Sequence, residues 1–436
     1  MNLFREIIHT FEPPPDLLVS EWADKYRVLS PEASAEPGRW STDRAKYQAG
    51  IMDAVKDPDI ETVVVMSSSQ IGKTECLCNV IGYFISQDPS PILVINPTLE
   101  MAQTFSKDRL APMTRDTEIL KGIIKTPRSK DSTNTILHKV FPGGHITIAG
   151  ANSPASLASR PIRIVLCDEI DRYPASAGTE GDPVSLAIKR SLTFWNKINI
   201  LTSTPTIKGL SRIEAAWNVS DQRRFFIPCP HCNTFQILEW HHVVWTNHDP
   251  ETAMYKCAKC EQLWSDAKRW SAIREGEWRP TAESTLKNIA GFHIWEAYSP
   301  WVKLSDMVQD FLESKDSRER LKVFVNTSLG ETWEESGDQV DDNILYTRRE
   351  NFIAEVPKDG LVITTGVDVQ DDRLEVEFVA WGKGEESWSI DFNIIHGDLH
   401  GEQIWKDLDS ALDKYFTHES GIKIKSSCSC IDSGGH

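Results

Sequence analysis

Residues 61–74, ETVVVMSSSQIGKT, carry a β-branched apolar run into a serine-rich turn that ends in Gly72-Lys73-Thr74. That order of residues suits the binding of a polyphosphate. In such a turn the backbone N–H groups of Ser67, Ser68, Ser69, Gln70, Ile71 and Gly72 converge on an anion, and the helix that follows aims its positive end at the same point. Lys73 then reaches the β- and γ-phosphates, the Thr74 hydroxyl holds Mg²⁺, and Glu75 is grouped with them as a nucleotide contact. Ser67 stands where the usual pattern has its first glycine. Cys76, Leu77, Val80, Ile81 and Phe84 recur at helical spacing behind the turn, which is the context it requires.

A second apolar run, Ile162 to Cys167, ends in the carboxylates of Asp168 and Glu169. Asp168 at a strand's carboxyl end positions Mg²⁺ through water, and Glu169 polarises the attacking water as general base, an arrangement that hydrolyses a triphosphate. Thr202, Ser203 and Thr204 put three hydroxyls at the end of a further run, where they suit sensing of the γ-phosphate and coupling of its loss. Arg160 fits an arginine finger for a neighbouring subunit's nucleotide or a structural arginine. Tyr47 and Gln48 fit a contact to adenine, or the buried side of an amphipathic helix with Ile51 and Val55.

Two CxxC knuckles, Cys229/Cys232 and Cys257/Cys260, supply four thiolates for a tetrahedral Zn²⁺. His231 is a competing ligand. A closed Cys₄ site leaves no position for substrate, so its zinc is structural. Cys76, Cys78, Cys167, Cys428 and Cys430 lie in apolar segments and read as buried or inert. Near the end of the chain, Asp368 lies in the strand run LVITTGVDVQ and Asp432 ends the run KIKSSCSCID. If those strands are parallel neighbours, the two carboxylates share divalent ions and hydrolyse a phosphodiester by the two-metal scheme. A further carboxylate is normally recruited, and nothing remains after His436 to supply it, so this last unit reads as truncated and strong cleavage by it is not expected.

The elements that must position these residues are α/β. Runs at Thr62 to Met66, Pro91 to Asn96, His145 to Ala149, Ile162 to Cys167 and Lys197 to Thr202 alternate with helical or loop segments, which predicts a largely parallel sheet covered on both faces. The expected organisation is an arm over 1–44, a P-loop, RecA-like ATPase domain over 45–220, a zinc-ribbon-like module and linker over 221–352, and part of an RNase H-like nuclease domain over 353–436. In that last unit Leu374, Val376, Phe378 and Ala380 alternate against Glu375 and Glu377. Ile404, Leu408, Leu412 and Tyr415 then recur at helical spacing, and KIKSSCSCID closes a β-β-β-α-β order.

The 436 residues, 40% of them hydrophobic, fill two or three ordinary cores. No stretch approaches the ~20 apolar residues of a membrane span, and MNLFREIIHTFEPPP lacks the plan of a secretory signal. With nine cysteines, an odd number, this points to thiols and metal ligands in a reducing cytosol. A net charge of −17 argues against indiscriminate coating of nucleic acid but not against a local groove. Lys121, Lys125, Arg128 and Lys130 form one basic stretch suited to phosphate contacts, or to a solvated loop.

Taken in order, SSSQIGKTE, INPTLEMAQTFSKDRLAPM, LASRPIRIVLCDEIDRYP, ILTSTPTIKGLSRI, CPHC, CAKC, GVDVQDDRLE and IDSGGH resemble the large terminase subunit of tailed bacteriophages, GpA type. The resemblance covers nearly the whole chain. It implies an ATP-driven motor that packages concatemeric double-stranded DNA into a procapsid and cuts it. Lys73 and Thr74 would carry the Walker A role, Asp168 and Glu169 the Walker B role, Thr202 to Thr204 the coupling role, and Asp368 and Asp432 two nuclease metal ligands. The implied partners are a small terminase subunit, the portal vertex and DNA, with the motor subunits in a ring in the host cytoplasm. A helicase-like DNA-dependent ATPase shares the phosphate loop and the acidic strand. It would need a second RecA-like domain where this chain has cysteine knuckles and a carboxylate-bearing unit.

Overall fold

The computed structural model describes residues 16–124, 134–153, 160–286, 288–335, 352–370, 373–397, 399 and 401–432. Lys125, Arg128, Lys130 and the arm up to residue 15 lie outside them. The chain forms two units, Met1–Glu335 and Ser336–His436.

One sheet organises the first unit. Its strands from the first half of the chain are β1 (Thr62–Ser67), β2 (Pro91–Asn96), β3 (His138–Phe141), β4 (Gly144–Gly150), β5 (Ile164–Asp168) and β6 (Ile198–Ser203). Then come β7 (Arg223–Pro228) and β8 (Phe235–Gln236), a separate three-stranded sheet of β9 (Val243–Thr246), β10 (Asp249–Lys256) and β11 (Leu263–Trp264), and finally β12 (Glu277–Arg279) and β13 (Ile289–Ile294). Among the described residues the large sheet has ten strands in the order β8-β7-β13-β1-β6-β5-β2-β4-β3, with β12 also paired to β7. From β13 to β4 all neighbours are parallel. Every residue of β5 and β6 is buried, as expected of parallel strands covered on both faces.

Two expectations about boundaries change. β7 and β13 come from the stretch assigned to a separate module, yet β13 pairs with β1 along its full length, Ile289↔Thr62 to Ile294↔Ser67. The region after residue 220 therefore completes the first sheet. Likewise α1 (Val19–Tyr26) is no free arm, because Val19 and Trp22 are fully buried in the core. Burying two such side chains contributes about 1.5–3 kcal/mol each, which favours a docked helix over a free segment.

On this face α1, α2 (Tyr47–Asp53) and α3 (Lys73–Ser86) cover Val63, Val65, Ile92 and Val94. The opposite face packs Val64, Leu93 and Val165 under Tyr173 and α4 (Arg212–Asn218). Beside the small sheet lie α5 (Asp266–Arg274), α6 (Leu304–Ser314) and α7 (Arg318–Phe324). Trp240 joins them, with ring centroids 5.3 Å from Phe311 and 5.1 Å from Phe324.

The second unit has the expected order with one insertion. β14 (Val362–Gln370), β15 (Arg373–Trp381) and β16 (Ser387–His396) are antiparallel neighbours, followed by α8 (Glu402–Leu412). A hairpin of β17 (Tyr415–Thr417) and β18 (Lys423–Lys425) then precedes β19 (Cys428–Ile431), which pairs parallel with β14. Leu374, Val376, Phe378 and Ala380 are fully buried, as their alternation requires. Tyr415, expected on the helix, lies beyond its end in β17 and is exposed.

Candidate active site and metal centre

The carboxyl ends of β1, β5 and β6 meet where the sequence places its chemistry. Gln70 and Gly72 both adopt positive φ, +56° and +86°. That bends the 67–74 turn into a concave run of amides, the geometry that receives anions. Gly72 has a second reason to be glycine, since a Cβ there would meet Gln48 Nε2 at 2.3 Å. Tyr47 and Gln48 both donate to the Ile71 carbonyl, at 3.1 and 2.9 Å. They brace the loop from beneath, and the Tyr47 ring is fully buried against Phe225, so it does not stack on a base.

Lys73 is buried, and its ammonium is shared among the Ser68 carbonyl at 3.2 Å, Thr204 Oγ1 at 2.8 Å and Glu169 Oε1 at 3.2 Å. Asp168 accepts from Thr202 Oγ1 at 2.7 Å and from Thr74 Oγ1 at 3.5 Å. Burial pushes the Asp168 carboxyl up from its ordinary value, against the pull of the Thr202 hydroxyl. Glu169 sits at φ +56°, a left-handed conformation uncommon for a side chain of this size. The Thr204 N–H reaches its other oxygen at 3.3 Å. Thr74 and Asp168 thus offer two hard oxygens beside the lysine, a donor set that fits Mg²⁺.

The side chains of two grouped residues are engaged away from the lysine. The Glu75 carboxylate is taken by Arg27 at 2.9 Å and Arg109 at 3.1 Å, with Arg27 buried, so it anchors α3 to the segment behind α1. Arg160 is exposed, with Nη1 2.9 Å from His138 Nε2 on the edge strand β3. Five strand spacings, on the order of 24 Å, separate β3 from β1, so it does not reach Lys73 of its own chain.

The knuckles converge. Sγ atoms of Cys229 and Cys260 are 3.7 Å apart and those of Cys232 and Cys257 are 3.9 Å apart. A tetrahedron with Zn–S of about 2.3 Å has edges of about 3.8 Å, so the four sulfurs fit zinc. Burial opposes ionisation of Cys257, but the Cys260 and Lys259 N–H groups aimed at its sulfur outweigh it and bring the thiol down to about 6. His231 turns to Lys268 Nζ at 3.2 Å and is not a ligand here. Of the other cysteines, Cys76, Cys78 and Cys167 are buried, and burial pushes Cys167 up to about 12. Cys428 and Cys430 are exposed, contrary to expectation, because all four residues of β19 are exposed and the described residues cover neither of its faces.

In the second unit Val367 pairs with Ile431, and the Asp432 N–H donates to the Val367 carbonyl at 2.9 Å. The next residues along each strand, Asp368 and Asp432, are therefore side by side and exposed. Glu375 stands directly opposite Asp368 on β15 and is held by Arg373 at 2.7 Å.

Behind the loop, His293 of β13 is buried between Arg224 and the Gly330 carbonyl, 2.9 Å from Nε2, with the Trp217 ring 5.9 Å away. The arginine donates to Nδ1, so the ring proton is on Nε2. Burial and the Arg224 charge hold His293 well below its ordinary value. The unfolded chain therefore binds this proton below about pH 6.5 and the folded one does not. Stability falls as pH drops through that value, by up to about 1.4 kcal/mol per pH unit. His293→Gln keeps both hydrogen bonds and should lose less melting temperature than the parent between pH 7.5 and 5.5; an equal loss would count against the assignment.

A parallel α/β sheet with a buried lysine and two carboxylates at its carboxyl edge defines the class of α/β ATPases. The family model described as "Phage terminase large subunit gpA, ATPase domain" matches residues 34–278, and "Terminase large subunit gpA, endonuclease domain" matches residues 289–436. The large terminase subunit of Enterobacteria phage P21 is 32% identical over 97% of this chain and 69% of its own length. That of Escherichia phage lambda is 32% identical over 98% and 70%. Among solved structures, the HK97 bacteriophage large terminase has a TM-score of 0.47 at 12% identity, covering 90% of this chain and 70% of that one. The chain belongs to the phage terminase large subunit gpA family. It is an ATPase with an endonuclease domain, the motor subunit of phage DNA packaging. The endonuclease match begins at residue 289, within β13, which by its hydrogen bonds belongs to the first unit's sheet. Among the described residues no helix is long and apolar enough to cross a membrane.

Proposed function

We propose that the first unit is a P-loop ATPase of RecA-like plan in which residues 67–74 cradle the phosphates of ATP. Lys73 neutralises the outer phosphates, Thr74 and Asp168 hold Mg²⁺, and Glu169 takes the proton of the attacking water. Bound Mg²⁺ offsets the charge of the triphosphate. The observation that carries this reading is the Lys73 ammonium, buried and held between Glu169 and Thr204. Thr204 then feels the γ-phosphate through the same cation. Asp368 and Asp432 are read as metal ligands of an RNase H-like nuclease, and the Cys₄ cluster as structural zinc. The work is done on double-stranded DNA in the host cytoplasm, with a small terminase subunit and a procapsid portal as partners and further copies of the chain in a ring. Arg160, on the far sheet edge, suits a role towards such a neighbouring copy. A helicase-like reading finds less support, because the residues after 353 carry the paired aspartates on adjacent strands.

A double dissociation tests it. Lys73→Ala should weaken ATP binding at least tenfold and stop turnover while Mg²⁺-dependent nicking of duplex DNA persists. Asp368→Asn should lose nicking and keep DNA-stimulated ATP turnover. Loss of both activities in either folded variant would overturn the division of roles.

A further inference from the structure

After α7 the chain makes a short π-turn, Val325–Leu329, and then runs along the candidate nucleotide site. Three sets of bonds fasten it there. The Thr327 carbonyl accepts from both Ser69 N and Ser69 Oγ, at 2.8 and 3.1 Å. Asn326 Nδ2 donates to the carbonyls of Pro205 and Thr206, at 2.9 and 2.7 Å, immediately past the hydroxyl cluster. The Trp333 main chain bonds Thr206 and Lys208, at 2.8 and 3.0 Å. Between these points Gly330 has φ +66°, and a Cβ there would meet Ser68 N at 2.6 Å. The strap's backbone therefore lies directly against the phosphate loop.

Asn326 is buried, and its Oδ1 has no hydrogen-bond partner among the described residues. An acceptor left so is costly, and a natural fold keeps such a group where something else is gained. What this amide gains is geometric. One NH₂ group spans two successive carbonyls of the 204–206 loop, while the next residue's carbonyl holds the phosphate loop.

We infer that Asn326 is a positioning residue of the ATPase: it locks the loop carrying Thr204 to the phosphate loop, so that Thr204 and Glu169 both stay on Lys73. The inference rests on the ATP-site reading above. Asn326 touches no reacting atom and acts through Thr204. An aspartate at this position would face two carbonyls with oxygens alone and push the loop away. An alanine would merely release it.

The test is steady-state ATP hydrolysis by the full chain with DNA present, comparing Asn326→Asp and Asn326→Ala with the parent and with Lys73→Ala, each with a melting curve. Asn326→Asp should lower kcat at least tenfold and Asn326→Ala severalfold, with KM for ATP within threefold and the melting temperature of Asn326→Ala within a few degrees. A role in folding alone would lower the melting temperature and the active fraction without changing kcat per folded molecule, and that result overturns the inference. Parent-like kcat in Asn326→Ala overturns it too, and this variant decides if Asn326→Asp does not fold. Turnover lost in Lys73→Ala but kept in both Asn326 variants sinks this inference alone, whereas turnover kept in Lys73→Ala sinks the site reading beneath it.

Discussion

Glu169→Gln should lower ATP turnover by a factor of about 10²–10⁴, the range expected when a positioned general base is removed, or about 2.7–5.4 kcal/mol of barrier. Nucleotide binding should survive, and for a reason visible in the structure. Glu169 holds Lys73 in an ion pair at 3.2 Å, and a triphosphate has to draw the ammonium away from it. The amide keeps the shape and still accepts a hydrogen bond, but it gives up the charge. ATP affinity should therefore equal or exceed the parent's while hydrolysis stops at the chemical step. Single-turnover hydrolysis and retention of radiolabelled ATP separate the two effects. Turnover within threefold of the parent would move the base elsewhere. The left-handed backbone of Glu169 makes such relocation hard, because the strand end and the Thr204 N–H both aim this carboxylate at the lysine.

Much of this site could be read from short stretches of chain because each piece is local. A β-branched run, a turn and a helix bring Lys73 and Thr74 to a strand's carboxyl end, and Ile162 to Cys167 do the same for Asp168 and Glu169. The parallel pairing of β14 with β19 followed from the order of strands, and so did the approach of Asp368 and Asp432. What escaped was non-local. β13 is six residues, IAGFHI, set among tryptophan- and cysteine-rich text, and only its pairing with β1 shows where it belongs. The brace under the loop, Gln48 on the Ile71 carbonyl, has the same residue type that an adenine contact would need, so composition could not separate the two. Glu75 is a related case: its proximity in sequence to Thr74 says nothing of Arg27 and Arg109, which claim its side-chain charge. Asn326 and Thr327 carry no motif at all. Asn326 acts by its side-chain amide on the Pro205 and Thr206 carbonyls and Thr327 by its own carbonyl, main-chain partners that no side-chain pattern reports.

Removing zinc should cost the first unit far more than its small sheet. The free energy of structural Zn²⁺ in isolated finger peptides is about 10–16 kcal/mol, an upper bound where a larger core supports the knuckles. Here Cys229 and Cys257 are buried in one core with Phe225, Ile227, Tyr298, Ile294, Tyr47 and Ile71. Tyr298 donates to the Phe225 carbonyl and accepts from Leu238 N–H, both at 2.7 Å, while Tyr47 packs on Phe225 and bonds the Ile71 carbonyl of the phosphate loop. Loosening the knuckles therefore loosens the floor of the nucleotide site. Cys257→Ser, or treatment with a strong chelator, should release one zinc per chain and lower the first unit's melting temperature by more than about 10 °C, since each kcal/mol is worth about 2–4 °C in a domain of 150–250 residues and somewhat less in a larger one. ATP affinity should fall with it, although none of the four cysteines is among the residues read as holding the nucleotide. Metal analysis, calorimetry and nucleotide titration on the same preparation test the chain of contacts. A zinc-free protein that melts with the parent and binds ATP as tightly would show the four thiols to be an ordinary part of the core, and the link from knuckle to phosphate loop would be broken at its first step.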